Sequence, residues 1–101
     1  MPIPCTNRLT VVGPTREIKA FDENVSLEAE LGARHADLLE LSAIRLAWQF
    51  ESDIPPLEAL KRLSIRHPSF TLLHDFEQEN QRIKGLAKAK RGRITSHQVS
   101  Y

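Results

Sequence analysis

Two stretches of this chain carry apolar side chains at every second position, and that period limits what it can fold into. Ile44, Leu46, Trp48 and Phe50 form one run; Phe70, Leu72 and Phe76, with His74 in phase, form the other. A period of two lines one face of a pleated strand, whereas a helix needs spacings of three and four. Both stretches are therefore expected as strands, side by side in one sheet beneath amphipathic helices. Leu39 and Leu41 sit in the opposite phase to the run that follows them. A one-residue slip flips every side chain to the other face, so this change of phase requires a bulge or a turn. Residues 38–52 read as two short strands joined near Ser42-Ala43, or as one bulged strand. A helix over 36–50 is the rival reading, since Ala, Leu and Glu are frequent there; the clean alternation from Ile44 to Phe50 favours β.

The remaining elements follow from the same kind of pattern. Arg8-Leu9-Thr10-Val11-Val12 alternates and is β-branched, which predicts a first strand. Gly13-Pro14 breaks it, and the fixed φ of proline suits a helix start. Ile18, Phe21 and Val25 then make one helical stripe. Leu27 and Leu31 either extend that helix or pack as an irregular segment before Gly32. Pro55-Pro56 opens a second helix with Leu57, Leu60 and Leu63 or Ser64 inward, and Asp53 is placed to cap it or to meet its positive end. Pro68 stops it. Gln78 to Gln81 is a polar connection. Arg82 to Lys90 can form a strand with Gly85 as an irregularity. Lys90-Arg91-Gly92-Arg93 reads as a hairpin turn in which Gly92 supplies positive φ, and Ile94 to His97 returns. The order β-α-β-β-α-β is that of a ferredoxin-like α+β fold: an antiparallel sheet with two helices on one face, here with an extra C-terminal hairpin. A single domain over 1–101 is expected, with a core about 7–77 and a basic hairpin about 82–97.

Charge and cysteine content exclude several classes of function. The formal net charge is only +1, from 14 basic and 13 acidic side chains. No global electrostatic drive toward nucleic acid or acidic membranes exists, although a local patch can still act. Residues 1–50 hold five basic and seven acidic side chains, and residues 51–101 hold nine and six. The positive excess gathers at Arg82, Lys84, Lys88, Lys90, Arg91 and Arg93. The single Cys5 excludes an internal disulfide and any multi-cysteine zinc site. No apolar run approaches the ~20 residues of a membrane helix. The start, Met-Pro-Ile-Pro-Cys-Thr-Asn, lacks a basic n-region and an apolar h-region, so a cytoplasmic location is expected.

No catalytic constellation is visible. Cys5 has no local histidine to activate it and reads as a small residue packed under the sheet. His74 shares a face with Phe70, Leu72 and Phe76, where desolvation would tune it, but a lone histidine there is a core or edge residue by default. His35 and Asp37 need distant help to hold a metal. His67 sits at a helix end, where a cation suits the dipole. Asp75, Glu77 and Glu79 alternate along one strand face, as a solvated face does. Pro14-Thr15 after Gly13 is not a phosphate loop. No cofactor and no metal site is indicated. The basic hairpin is the strongest lead. Its cations suit phosphates, yet no aromatic interleaves with them for base stacking.

Three segments resemble the YubB-like proteins of plasmids, phages and integrated elements. They are Cys5-Thr6-Asn7-Arg8-Leu9-Thr10-Val11-Val12-Gly13-Pro14, Leu46-Ala47-Trp48-Gln49-Phe50 leading into Pro55-Pro56-Leu57, and His67-Pro68 with the strand to Phe76-Glu77 and then Lys84-Gly85. The resemblance spans residues 5 to about 92. It implies a ferredoxin-like domain of no established activity and carries over no catalytic residue. The expectation is a small non-enzymatic binding or oligomerisation module of mobile-element type, partnered by another protein or by a second copy. The alternative is a nucleic-acid accessory protein using the 82–93 hairpin. An enzyme centred on His74, Asp75 and Glu77 is the least supported reading.

Overall fold

The computed structural model describes residues 4–101. Met1 to Ile3, which begin both the domain range 1–101 and the segment read for a signal, lie outside the described residues. The elements are β1 (Cys5–Val12), α1 (Thr15–Asn24), α2 (Leu27–Leu31), β2 (Arg34–Leu41), β3 (Arg45–Ser52), α3 (Leu57–Arg66), β4 (Thr71–Gln78), a 3-10 turn (Glu79–Gln81), β5 (Ile83–Lys90) and β6 (Arg93–Ser100). The strands form one sheet in the order β2-β3-β1-β4-β5-β6, with every neighbour antiparallel.

This overturns the expected β-α-β-β-α-β order with two helices and an appended hairpin. The described residues form three α-helices. Val25 adopts extended backbone (φ −105°, ψ 128°) and ends α1. Ser26 then caps a new helix by accepting from the Ala29 N–H, and Gly32 closes it at φ 65°. Leu27 and Leu31 are therefore inward residues of a separate short helix, not an extension of α1. The hairpin is no appendage either. β5 pairs with β4 along nearly its whole length, from Leu72–Ala89 to Gln78–Ile83, so β5 and β6 are integral strands of the six. The 3-10 turn, with Arg82 at φ 55°, reverses the chain directly into β5.

The runs from Leu46 to Phe50 and from Leu72 to Phe76 lie in strands, while Ile44, exposed, and Phe70 precede them; the two strands are not neighbours. β1 lies between them: Leu9 faces Trp48 of β3 on one side and His74 of β4 on the other. The change of phase falls at residues 42–44, between β2 and β3, and β2 itself carries two register shifts. Gly85 is not an irregularity, since it pairs in register with both Phe76 and Gln98. Its missing side chain makes room for the Phe76 ring, which an added Cβ would meet at 2.1 Å.

All three helices sit on one face. Leu9, Val11, Leu46, Trp48, Phe50 and Leu72 of the sheet pack there against Ile18, Phe21, Leu27, Leu31, Leu60 and Leu63. Phe21 is the centre of an aromatic cluster, 5.8 Å from Trp48, 5.2 Å from His67 and 5.3 Å from Phe70 between ring centroids. Burying such rings contributes roughly 1.5–3 kcal/mol each, with a further contribution from edge-to-face geometry. Ser64 joins α3 to the β5–β6 turn: its Oγ donates to the Lys61 carbonyl at 2.7 Å and accepts from the Gly92 N–H at 2.9 Å. Arg91 (φ 51°) and Gly92 (φ 80°) form that turn, the positive φ pair that a two-residue hairpin needs. Asp53 does not cap α3; it pairs with Arg34 at 2.7 Å instead.

Candidate functional site

Alternation along the strands sends the other set of side chains to a face that no helix among the described residues covers. The pairing registers lay these residues out in rows. Gln49, Arg8, Asp75, Leu86 and His97 form one row across β3, β1, β4, β5 and β6. Beside it run Thr6, Glu77, Lys84 and Val99, and on the other side Thr10, Leu73, Lys88 and Thr95. Charges of both signs therefore alternate with threonines. Leu73, Leu86 and Val99 are 42%, 60% and 64% exposed. They sit diagonally on β4, β5 and β6, at spacings of about 7–8 Å, so they form one apolar stripe and not scattered singles. An open depression of about 560 Å³ takes in Leu86 and Val99 of this stripe and is bordered by Arg8, Gln49, Asp75, Glu77, Lys84 and His97.

The basic residues divide into two groups. Lys88, Lys90 and Arg93 share the uncovered face beside the hairpin turn, with Arg91 at its tip; with Thr95 they line a second depression. Among the described residues none of these four lies within ion-pair distance of a carboxylate. Lys90 Nζ donates to Thr71 Oγ1 at 3.2 Å, and Arg91 Nε donates to the Pro68 carbonyl at 3.4 Å. Lys84 lies roughly 20 Å from Lys90 along the strand. It faces Glu77 across the ladder and holds its Nζ 5.3 Å from the centre of the Tyr101 ring. Tyr101 donates its hydroxyl to Glu77, which pushes the phenol pKa up to about 12. Arg82 is not in the strand; its left-handed backbone ends the 3-10 turn, and its carbonyl accepts from the Tyr101 N–H at 2.8 Å.

His74 points the opposite way from Asp75 and Glu77. It is 1% exposed, on the helix-covered face between Phe50 and Phe76. Asn7 Nδ2 donates to Ser52 Oγ at 2.8 Å, which turns Asn7 Oδ1 toward His74 Nε2 at 2.9 Å. His74 Nε2 is thus the donor, and Nδ1 is an unprotonated acceptor with no partner among the described residues. Burial pushes its pKa down to about 4. A group so placed cannot share a substrate with carboxylates on the far side of the sheet, and the His74-Asp75-Glu77 centre falls on that geometry. His67 does lie at the C-terminal end of α3, but it stacks on Phe70 at 5.2 Å, and burial together with Arg66 lowers its pKa, the direction that disfavours a cation. Cys5 is fully buried; desolvation raises its thiol, the wrong direction for a nucleophile.

The apolar stripe has a signal in the sequence. Leu73 falls in the polar phase of β4, and Leu86 falls among Lys84, Lys88 and Lys90. An apolar residue in the polar phase of an alternating strand is the signal for it.

No helix among the described residues is long and apolar enough to cross a membrane. No family model matches the chain, and no curated protein matches it. A solved structure, the protein Api92 of Yersinia pseudotuberculosis from the DUF1281 family, has a similar fold with a TM-score of 0.56. Sequence identity is 18%, over 77% of this chain and 31% of that one. The chain thus spans about a third of that protein's length, and at this identity the likeness is one of fold: this is a small α+β domain.

Proposed function

We propose that this domain is a non-enzymatic binding module whose working surface is the uncovered sheet face, and that its partner is a protein. The observation that carries this reading is the Leu73–Leu86–Val99 stripe. Three exposed aliphatic side chains at diagonal positions on a largely polar face, flanked by Arg8, Lys84 and Lys88 on one hand and Asp75 and Glu77 on the other, match a partner with an apolar ridge and charges of both signs. A polyanion would be repelled by the two carboxylates in the middle of that face. The resemblance of residues 5 to about 92 to YubB-like proteins supports placing the module among those carried by mobile elements. A photo-crosslinking residue at position 86 tests the reading in cells. It should give a discrete protein adduct that Leu73→Glu or Val99→Glu removes, while the same residue at the α3 surface position 62 gives none. Identical adducts from both positions, or adducts unchanged by those substitutions, would refute it.

A second reading has its own observation: Lys88, Lys90, Arg91 and Arg93 stand together with no carboxylate partner. Such a corner suits phosphates. Titration of mixed-sequence DNA and RNA at low and moderate salt decides it. Binding that weakens with salt and is lost on combined Lys88→Ala, Lys90→Ala and Arg93→Ala substitution supports nucleic-acid contact; no binding at low salt removes it.

A further inference from the structure

The two edges of the sheet are built differently. β2 carries two register shifts, a left-handed residue at His35 (φ 53°), and Arg34, Asp37 and Glu40 along its length. Bulges and charges of this kind blunt an edge against strand addition. β6 has no register shift and no left-handed residue, and its one charge, Arg93, stands at its start. It runs eight residues in unbroken register with β5, contains no proline, is exposed along almost its whole length, and from Ile94 to Ser100 carries no Lys, Arg, Asp or Glu.

The turn determines which backbone groups of β6 are free. A two-residue hairpin is closed by a hydrogen-bonded pair, here Lys90 and Arg93, and bonded pairs then recur at every second position. Thr95, His97 and Val99 therefore bond inward to β5, and the Tyr101 N–H continues this phase by donating to the Arg82 carbonyl. Ile94, Ser96, Gln98 and Ser100 direct their N–H and C=O groups outward, a regular row of donors and acceptors on one strand.

We infer that β6 is a dimerisation strand, and that its occupant is β6 of a second copy, antiparallel about a two-fold axis at Ser96. In that register Ile94 lies opposite Gln98 of the partner subunit and Ser96 opposite itself. All outward groups from Ile94 to Gln98 find partners. Like charges are kept apart, because the two Arg93 side chains end at opposite extremes of the seam; a parallel arrangement would bring them together. The axis stands perpendicular to the sheet, so both uncovered faces remain on one side and free. The inference is therefore independent of the proposed partner surface.

Sedimentation velocity of the full chain over a range of concentrations tests it. The chain should pass from monomer to dimer, with the amides of Ile94, Ser96 and Gln98 gaining exchange protection as the dimer forms. Ser96→Pro removes an outward N–H and leaves the β5 ladder intact, so association should weaken at least about tenfold with the circular dichroism unchanged. Gln98→Lys places a charge in the seam and should do the same; it decides the matter if the proline variant fails to fold. Asp37→Lys on the β2 edge should change nothing. A monomer at every concentration overturns the inference, as does a dimer that survives Gln98→Lys or that Asp37→Lys dissolves.

Discussion

Acidification toward pH 5 should weaken the fold through one side chain, His74. It is 1% exposed, donates one hydrogen bond to Asn7, and has no acceptor near Nδ1 for a second proton. Its pKa is pushed down to about 4 in the folded protein, against about 6.5 in the unfolded chain. The folded value lies below the unfolded one, so the unfolded chain takes up the proton first. The stabilising contribution is complete above about pH 7 and is lost progressively as pH falls from about 6.5 to about 4. A difference of roughly 2.5 pH units corresponds to about 3 kcal/mol, of which about 2 kcal/mol is gone by about pH 5. That is a large share of a total near 5–15 kcal/mol. Urea denaturation followed by the fluorescence of Trp48, the single tryptophan, measures it at about pH 7.5 and about pH 5. His74→Gln supplies the comparison, since its amide can still donate to Asn7 Oδ1 and does not titrate. His67, also lowered by burial, is present in both proteins and cancels. The wild type should lose about 2 kcal/mol more than the variant between these pH values. Equal losses in the two proteins would show that His74 is not held neutral by burial.

Two further substitutions probe the packing. Gly85→Ala places a Cβ within 2.1 Å of Phe76 Cζ; the strand gains roughly 0.5–1 kcal/mol in backbone entropy but overpacking costs about 1–3 kcal/mol. Net destabilisation of about 1–2 kcal/mol is expected, and Phe76→Leu in the same chain should recover part of it; a neutral or stabilising Gly85→Ala contradicts the close approach. Ser64→Ala strips the Gly92 N–H of its acceptor and should cost about 1–2 kcal/mol with faster exchange of that amide, read by denaturation and by hydrogen exchange.

Local signals carried far. The alternation at 44–50 and 70–76 marks two strands, because a period of two depends on nothing beyond the chain itself. Gly92 marks the hairpin for the same reason, since positive φ is a property of one residue. Assignments that failed depended on distant partners. Asp53, placed before a helix, reads as a cap until Arg34 from β2 arrives to pair with it. His67, at a helix end, reads as a cation until Phe21 and Phe70 enclose it. Gly85 reads as a break until the ring of Phe76 lies over it. At the candidate surface, the six basic side chains from Arg82 to Arg93 were visible as a cluster, but their division into a corner by the turn and a distant Lys84 required the strand to be extended and paired.

The sequence by itself determined which residues turn inward along β1, β3 and β4, where the hairpin reverses, and which side chains carry charge. Tertiary structure alone decided that β1 separates β3 from β4, that the last two strands complete the sheet with β2 and β6 at its edges, and that one face is left without a helix among the described residues. The reason is physical: strands join through backbone hydrogen bonds that every residue but proline offers alike. Side-chain patterns therefore name the faces of a strand but not its neighbours.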